Sequence, residues 1–435
     1  MAAELSESPG AARPGSWLSL TELVLLLVLA AIQFTHIVDF MIVMPLGPVF
    51  SDEMHLTPHQ FGHVVAAYTV SAGLASLLAS RFLDRFGRKA ALLSMYLGFV
   101  IGTGLCALAW NYRTLLAART VAGAFGGVAA AVVLAAVGDA FPLERRGLAM
   151  GVIMSAFSVA SIAGLPLGLW LAESLGWQAP FVVLAGLGLI VLGVAVVMLP
   201  PMRGHLDHGP PGNGSLLALI TDPNHVRAYL FTTSIVFVSF TVAPYLPVFL
   251  EANVGVHQHE LKWMYLAGGI ATLVTLTYIG RLSDRFGKLR LFRWLAVATI
   301  ASIALLTHMP AGLSLALVLA VTTFMMIATS GRMVPAMALI TASAVPAERG
   351  GFMSVNSAVQ QLGAGLATWV GGLLLTQENA AAPLEGYPTV GWLSYAACLL
   401  SLFLAGRLRP APGGETAPDA ADLIAAETGA EVAAS

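Results

Sequence analysis

Twelve runs of mostly apolar residues divide this chain, and each is long enough to cross the hydrocarbon core of a bilayer as a helix. In the first half, spans 1 to 6 cover about residues 21–47, 60–80, 90–110, 113–138, 147–172 and 178–200. In the second half, spans 7 to 12 cover about residues 228–250, 261–281, 290–308, 313–338, 351–376 and 388–407. With 57% hydrophobic and only 10% charged residues, the chain is predicted to be an all-α, multi-pass membrane protein.

The lysine and arginine residues fall almost entirely on one side of this array. With a cytoplasmic N-terminus, 17 of the 21 basic residues face the cytoplasm, as the positive-inside rule requires. Arg113 and Lys262 face outward, and Arg119 and Arg332 lie within spans 4 and 10. Residues 1–20 lack the basic start and short apolar stretch of a secretory signal. Both termini are therefore predicted to be cytoplasmic, and span 1 is predicted to remain in the membrane.

Two charged loops occur twice and indicate that the chain consists of two related halves. Asp84-Arg85-Phe86-Gly87 returns two hundred positions later as Asp284-Arg285-Phe286-Gly287, and Pro142 to Gly147 resembles Pro346 to Gly351. Parallel halves of six spans predict a substrate site at their interface and transport by alternating access. The predicted organisation is a cytoplasmic tail (1–20), an N-terminal six-helix bundle (21–200), a cytoplasmic linker with a short helix near 215–220 (201–227), a C-terminal six-helix bundle (228–408) and a disordered acidic cytoplasmic tail (409–435).

These motifs resemble those of the major facilitator superfamily, over nearly everything from residue 23 to residue 408. The loop signature of that family is present as Gly280, Asp284, Arg285 and Gly287, and in the first copy as Asp84, Arg85, Gly87, Arg88 and Lys89, with Ser80 in place of the first glycine. Arg119-Thr120-Val121-Ala122-Gly123 is similar to a motif associated with proton coupling, and Gly164, Pro166 and Gly168 resemble the antiporter motif of exporters, interrupted by Leu165. Twelve-span drug/proton antiporters and arabinose-efflux-like permeases are the subfamilies that it resembles most.

Four ionisable side chains fall inside the spans: His36, Asp39, Arg119 and Arg332. Such groups are costly in lipid, which makes each a candidate functional residue. At about 1.5 Å per residue, Asp39 and Arg119 lie at nearly the same depth. A dry cavity favours a protonated carboxylate and a nearby arginine favours an ionised one, so a conformational change can drive proton release. We expect Asp39, Arg119 and His36 to couple transport to protons. The alternatives are a permanent structural ion pair and an Asp39 side chain that reaches the outer interface.

The candidates for the substrate cavity are polar side chains within the spans: Gln33, Tyr245, Arg332, Asn356 and Gln360. Gln33 lies on the polar face of span 1, and Tyr245 stands between two prolines that predict a break in span 7. Arg332 either meets an anionic substrate or extends to the cytoplasmic surface. Asn356 and Gln360 share one face of span 11 and either bind substrate or link helices.

The repeated loops are predicted to form a conformational latch at the cytoplasmic ends of the spans. By the resemblance, Asp84 sits near the start of span 11, where a helix N-terminus attracts negative charge, and Asp284 near the start of span 5. Such contacts cross between the halves only while the cytoplasmic side is closed, so they favour the outward-facing state. The predicted latch residues are Asp84, Arg85, Gly87, Arg88, Asp139, Arg146, Asp284, Arg285 and Gly287.

The function predicted from these features is secondary active transport, most simply proton-coupled efflux of a drug-like or amphiphilic small molecule. The alternative is a transporter of sugars or other polar metabolites, by efflux or proton symport, and a non-transporting sensor of the same fold is a third reading. The sequence contains no nucleotide-binding or hydrolytic motif, so we expect neither an enzyme nor a cofactor, and no metal site or nucleic-acid partner. We expect a monomer in the cell inner membrane, with a small-molecule substrate, protons and the lipid bilayer as its partners.

Overall fold

The computed structural model describes residues 19–79, 86–141, 143–202, 216–345, 348–379 and 382–411. Most of the N-terminal tail, of the linker and of the acidic tail lies outside these ranges. Asp84 and Arg85 of the predicted latch and the side chain of Arg146 also lie outside the described residues.

The N-terminal half consists of six membrane-spanning segments. Span 1 is helix α1 (Leu20–Ile42), which Ser19 caps by accepting a hydrogen bond from the Glu22 amide, and it continues through a turn into the short α2 (Gly47–Glu53). Spans 2, 3, 4 and 6 are the helices α3 (Pro58–Ala79), α4 (Arg88–Ala107), α5 (Tyr112–Ala140) and α8 (Ala179–Met198). Span 5 is interrupted: α6 (Leu143–Val159) passes through a π-helical turn at Ala160–Gly164 into α7 (Leu165–Leu175).

The C-terminal half follows the same order, with breaks in spans 7 and 10. The predicted linker helix is α9 (Leu216–Thr221). Span 7 consists of α10 (Pro223–Val242), a 3-10 turn at Ala243–Tyr245, α11 (Leu246–Phe249) and a π-helical turn at Leu250–Val254. The remaining spans are α12 (Leu261–Phe286), α13 (Lys288–Thr307), the pair α14 (Leu315–Gly331) and α15 (Met333–Ala342), α16 (Arg349–Leu373) and α17 (Tyr387–Ala405).

The predicted all-α membrane fold of twelve helices in two bundles is confirmed. Among the described residues, eleven helices are long and apolar enough to span a membrane. The remaining one, α16, has 25 residues, but polar side chains such as Asn356 and Gln360 lower its hydropathy. It packs along α3 of the other half and along α10 of its own, so these polar groups are shielded from lipid by neighbouring helices.

The two halves meet along two helix pairs, α3 with α16 and span 5 with α12. Glycines bring the backbones close at the predicted outer ends and midway: a Cβ added at Gly47 would lie 2.9 Å from Val248, and one at Gly372 would lie 3.2 Å from the Pro58 carbonyl oxygen. Further toward the predicted inner side, a Cβ at Gly73 of α3 would lie 3.1 Å from the Ala358 carbonyl oxygen of α16. The halves are therefore closely packed along α3 and α16 as well as at the predicted outer end.

Candidate functional site

A fully buried ion pair joins spans 1 and 4 in the N-terminal half. An Nη of Arg119 donates to the carboxylate of Asp39 at 2.9 Å and to the backbone carbonyl of the same residue at 3.1 Å. Both side chains have 0% relative exposure. Because desolvating two charges is costly, a buried pair needs this close, hydrogen-bonded geometry to persist. The structure thus brings together two of the three residues predicted to couple transport to protons.

Tyr68 of α3 also contacts Arg119, and the sequence reasoning missed it. The guanidinium lies 4.2 Å from the centre of the Tyr68 ring, which is also fully buried, in a cation–π arrangement. Small residues of α5 permit this approach, because a Cβ at Gly126 would lie 2.9 Å from the Tyr68 hydroxyl. A tyrosine within an otherwise small-residue stretch of span 2 was the available signal.

His36 and Gln33 lie one and two turns from Asp39 on α1 and are both buried. The His36 ring lies between two aromatic rings. Its centre is 5.9 Å from that of Tyr68 and 6.0 Å from that of Phe99. Among the described residues, neither ring nitrogen of His36 nor the side-chain oxygen of Gln33 has a hydrogen-bond partner. Buried polar groups of this kind are uncommon in folded proteins. This side of span 1 therefore offers unused hydrogen-bonding capacity beside the ion pair.

The predicted antiporter motif packs span 5 against span 1. A Cβ at Gly164 would lie 2.5 Å from Val38, and one at Gly168 would lie 2.5 Å from Ile42, so only glycine fits these positions without displacement. Pro166 lies in the first turn of α7, directly after the π-helical turn. Since Val38 precedes Asp39, the motif fixes span 5 next to the ion pair.

Arg332, between α14 and α15 of span 10, is also fully buried. One Nη donates to the Ile235 carbonyl at 2.9 Å and to the Ser239 hydroxyl at 3.0 Å, and the other lies 3.9 Å from the Cys398 sulfur. The side chain is thus enclosed within the bundle in this conformation and does not extend to the cytoplasmic surface, which was one of the two interpretations left open. Ser239 lies two hundred positions after Asp39, and this spacing could have identified it in the sequence.

Two of the other cavity candidates, Tyr245 and Asn356, make contacts between helices. The Tyr245 hydroxyl donates to the Thr368 carbonyl at 2.6 Å, near the predicted outer end of the interface. Asn356 accepts a hydrogen bond from the Thr232 hydroxyl at 2.6 Å, which links α16 to α10. Gln360 is half-buried one turn further along α16. For Asn356, these contacts match the helix-linking alternative.

An aromatic contact crosses between the halves beside both arginine sites. The rings of Phe40 and Phe240 are 6.0 Å apart, and Phe40 also lies 5.6 Å from Tyr68. Phe40 follows Asp39, and Phe240 follows Ser239. Asp39 and Ser239, two hundred positions apart, therefore each contact a buried arginine. The phenylalanine that follows each of them meets the other across the interface.

The described latch residues lie at the predicted inner end, where an ion pair between two of them joins spans of the N-terminal half. Arg88 follows Gly87 at the start of α4 and donates from Nε to the Asp139 carboxylate at 2.9 Å, which joins spans 3 and 4. Asp284 and Arg285 are exposed at the end of α12, and Gly287 begins α13 with a positive φ of 85°. An ion pair that does cross between halves, between Lys262 and Glu173 at 3.4 Å, lies at the predicted outer end.

Two six-helix halves that meet along paired helices, with a buried ion pair between spans, define a class of membrane transporter. The sequence profile of the Major Facilitator Superfamily matches residues 29–249 and 228–427. The chain belongs to this superfamily, and it is a transporter rather than an enzyme, as predicted.

Relatives and a solved structure agree with this assignment. The inner membrane transport protein YdhP of Escherichia coli (strain K12) is 25% identical over 375 residues, which cover 84% of this chain and 92% of YdhP. Multidrug resistance protein 1 of Bacillus subtilis (strain 168) is 25% identical over 342 residues, 77% of this chain and 85% of that protein. A variant of the nucleoside transporter NupG superposes with a TM-score of 0.69 at 13% identity, covering 89% of this chain and 99% of NupG, a likeness of fold alone.

Proposed function

We propose that this protein exports drug-like or amphiphilic small molecules in exchange for protons. The two bundles, residues 21–200 and 228–408, alternate in opening to either side of the inner membrane. The observation that carries the proposal is the Asp39–Arg119 pair at 2.9 Å, fully enclosed in a membrane-spanning bundle. A relative named as a multidrug resistance protein supports the substrate class.

In this mechanism, protonation of Asp39 and the ion pair are mutually exclusive. A proton on the carboxylate removes its charge and weakens the bond from Arg119, which frees spans 1 and 4 to shift. When the pair forms again, Arg119 favours the ionised carboxylate and the proton leaves on the opposite side. Gly164 and Gly168 transmit the shift of span 1 to span 5, because both are in close contact with α1 and leave no free space between the two spans.

Asp39→Asn is the direct test, because the amide keeps the size of the side chain but carries neither the charge nor the titrating proton. Efflux of fluorescent amphiphiles from energised cells, or uptake into everted vesicles, should fall to background in D39N and in protonophore-treated wild type. Glu53→Gln is a matched control, since Glu53 is exposed on α2, and it should transport normally. Gradient-sensitive export by folded D39N would show that Asp39 does not couple transport to protons.

The same assay distinguishes cargo classes. A panel that includes sugars beside amphiphilic compounds should show competition by the amphiphiles alone. Competition by sugars alone would replace the drug-like class by the polar one.

A further inference from the structure

Arg332 is a buried cation, and its hydrogen-bond partners in the described part of the chain are all neutral. They are a backbone carbonyl, a hydroxyl and a thiol, and among the described residues its Nε has no hydrogen-bond partner. Arg119 in the other half is equally enclosed but faces the carboxylate of Asp39. Buried charges in proteins are normally paired, so the two halves differ in charge balance.

The missing counter-charge is absent from every helix that surrounds Arg332. The sequences of α10, α13, α14, α15, α16 and α17 contain no aspartate or glutamate. The acid of α12, Asp284, is exposed at the predicted inner end of that helix. Glu251, in the turn that ends span 7, lies near the predicted outer end. Among the described residues, the contacts of Arg332 include no carboxylate.

The surroundings of Arg332 include one contact that a ligand can replace. Ser239, which accepts from the guanidinium at 3.0 Å, is only half-buried, and so is the adjacent Phe240. Phe240 meets Phe40 across the interface between the halves. A carboxylate that displaces the Ser239 hydroxyl would gain a charge-assisted hydrogen bond and would place an attached apolar group beside these two rings.

We propose that Arg332 binds the anionic group of the exported substrate, and that Phe40 and Phe240 contact its apolar part. The substrate class is then an organic monoanion, an aromatic or amphiphilic carboxylate. This inference rests on the proposed export function and narrows its cargo. The shared chemistry, a monovalent anion, also includes chloride, which the experiment separates.

Three planar probes of nearly equal shape test the charge requirement: benzoate, benzamide and benzamidine. Added to the purified full-length protein, benzoate should raise the thermal unfolding midpoint by about 1–3 °C at saturating concentration. Neutral benzamide and cationic benzamidine should not. Arg332→Gln should abolish the response and Arg332→Lys should keep a weaker one. Arg290→Gln, the same change at an exposed position of α13, should respond like wild type.

Folding of the variants is checked without ligand. Because Arg332→Gln removes an unbalanced buried charge, its unfolding midpoint should be equal to or above that of wild type. Asp39→Asn should keep the full benzoate response while losing proton coupling. The experiments can therefore contradict the anion-site proposal and the proposed export mechanism independently of each other.

Several outcomes overturn the proposal. These are an absent benzoate shift, an equal shift in Arg332→Gln, or equal shifts from all three probes. If chloride, compared with gluconate, shifts wild type but not Arg332→Gln and benzoate has no effect, the site holds an inorganic anion and the substrate assignment is wrong.

Discussion

Asp39 and Arg119 stabilise the N-terminal half only as a pair. Each is fully enclosed, and they meet at 2.9 Å. If one partner is removed, the other remains charged in a medium that solvates it poorly. The cost of a single substitution is therefore expected to exceed the net contribution of the pair.

Arg119→Met should lower the free energy of unfolding by about 3–5 kcal/mol, because it leaves the Asp39 carboxylate without its partner. Adding Asp39→Asn to this variant should recover part of the loss, since no charge then remains buried. Thermal and denaturant unfolding in detergent would measure both effects. Arg113→Met, the same change at an exposed position at the start of α5, is the control and should be near wild type. If Arg119→Met were as stable as Arg113→Met, this would contradict a stabilising role for the pair.

At the scale of secondary-structure elements, the broken span 5 is held in place by glycines. The π-helical turn ends at Gly164, which faces Val38 of α1, and Gly168 faces Ile42. On the other side, a Cβ at Gly269 of α12 would lie 3.1 Å from Ser161. Span 5 thus contacts both its own half and the other one, so that it can transmit movement between them.

Gly164→Val should destabilise the protein by about 1–3 kcal/mol through overpacking and should reduce transport more strongly than it reduces folding. Gly193→Val is the matched control, because a Cβ at this exposed position of α8 meets nothing within 4 Å. Unfolding midpoints and transport rates of the two variants in the same vesicle assay would be compared. If Gly164→Val transports like Gly193→Val, the packing of span 5 on span 1 is not important for transport.

The predicted outer end contains a second link between helices of different halves. The Trp369 indole N–H of α16 donates to Nε2 of His63 on α3 at 3.0 Å, while the other ring nitrogen of His63 lies 2.8 Å from the Tyr112 hydroxyl. A protonated imidazole has no free acceptor nitrogen, so it cannot accept the Trp369 bond. The His59 ring packs beside His63, with the two ring centres 4.2 Å apart.

External acid is therefore expected to open the outer end. Spin labels at exposed positions 53 and 378, after replacement of Glu53 and Glu378 by cysteine, would report the distance between the halves. The wild-type distance should lengthen as the external pH falls from about 7.5 to about 4.5, and Trp369→Phe should give the long distance throughout. Trp392→Phe, at another exposed tryptophan, should behave like wild type. An unchanged distance in Trp369→Phe would show that this bond does not hold the outer end closed.

At the scale of the whole molecule, the assignment of inside and outside depends on the placement of basic residues. Cysteines introduced in place of Asn111 and Arg290, both exposed, would lie on opposite sides. In intact cells, an impermeant maleimide should label position 111 and not position 290, and both should react after lysis. The native cysteines, Cys106 and Cys398, are buried and should give little background. The reverse pattern would place the termini outside and invert the direction of every step.

Much of the architecture could be predicted from local sequence patterns. Apolar runs of sufficient length indicated the spans, and the doubled Asp-Arg-Phe-Gly loop indicated two related halves. Span 11 was also found, although its hydropathy is lower than that of the others. The depths of Asp39 and Arg119 followed from a constant rise per residue, which made their proximity predictable. Depth is encoded locally, because each helix crosses the same thickness of lipid.

The neighbours of each side chain could not be predicted in this way. Tyr68 over Arg119 and Phe40 against Phe240 depend on how each helix rotates about its axis and tilts against the others. These are properties of packing between distant segments, to which glycines such as Gly126 contribute by permitting close approach. The enclosure of Arg332 is likewise a result of packing, since the same sequence position also permitted an extended side chain.

The sequence by itself determined the number of spans, the duplication, and which charged residues lie within the membrane, because hydrophobic length and charge act residue by residue. Only the tertiary structure decided that one buried arginine has a carboxylate partner and that the other has none within the described part of the chain. Pairing requires two atoms from different helices within hydrogen-bond distance, and that distance is fixed by how the whole bundle packs.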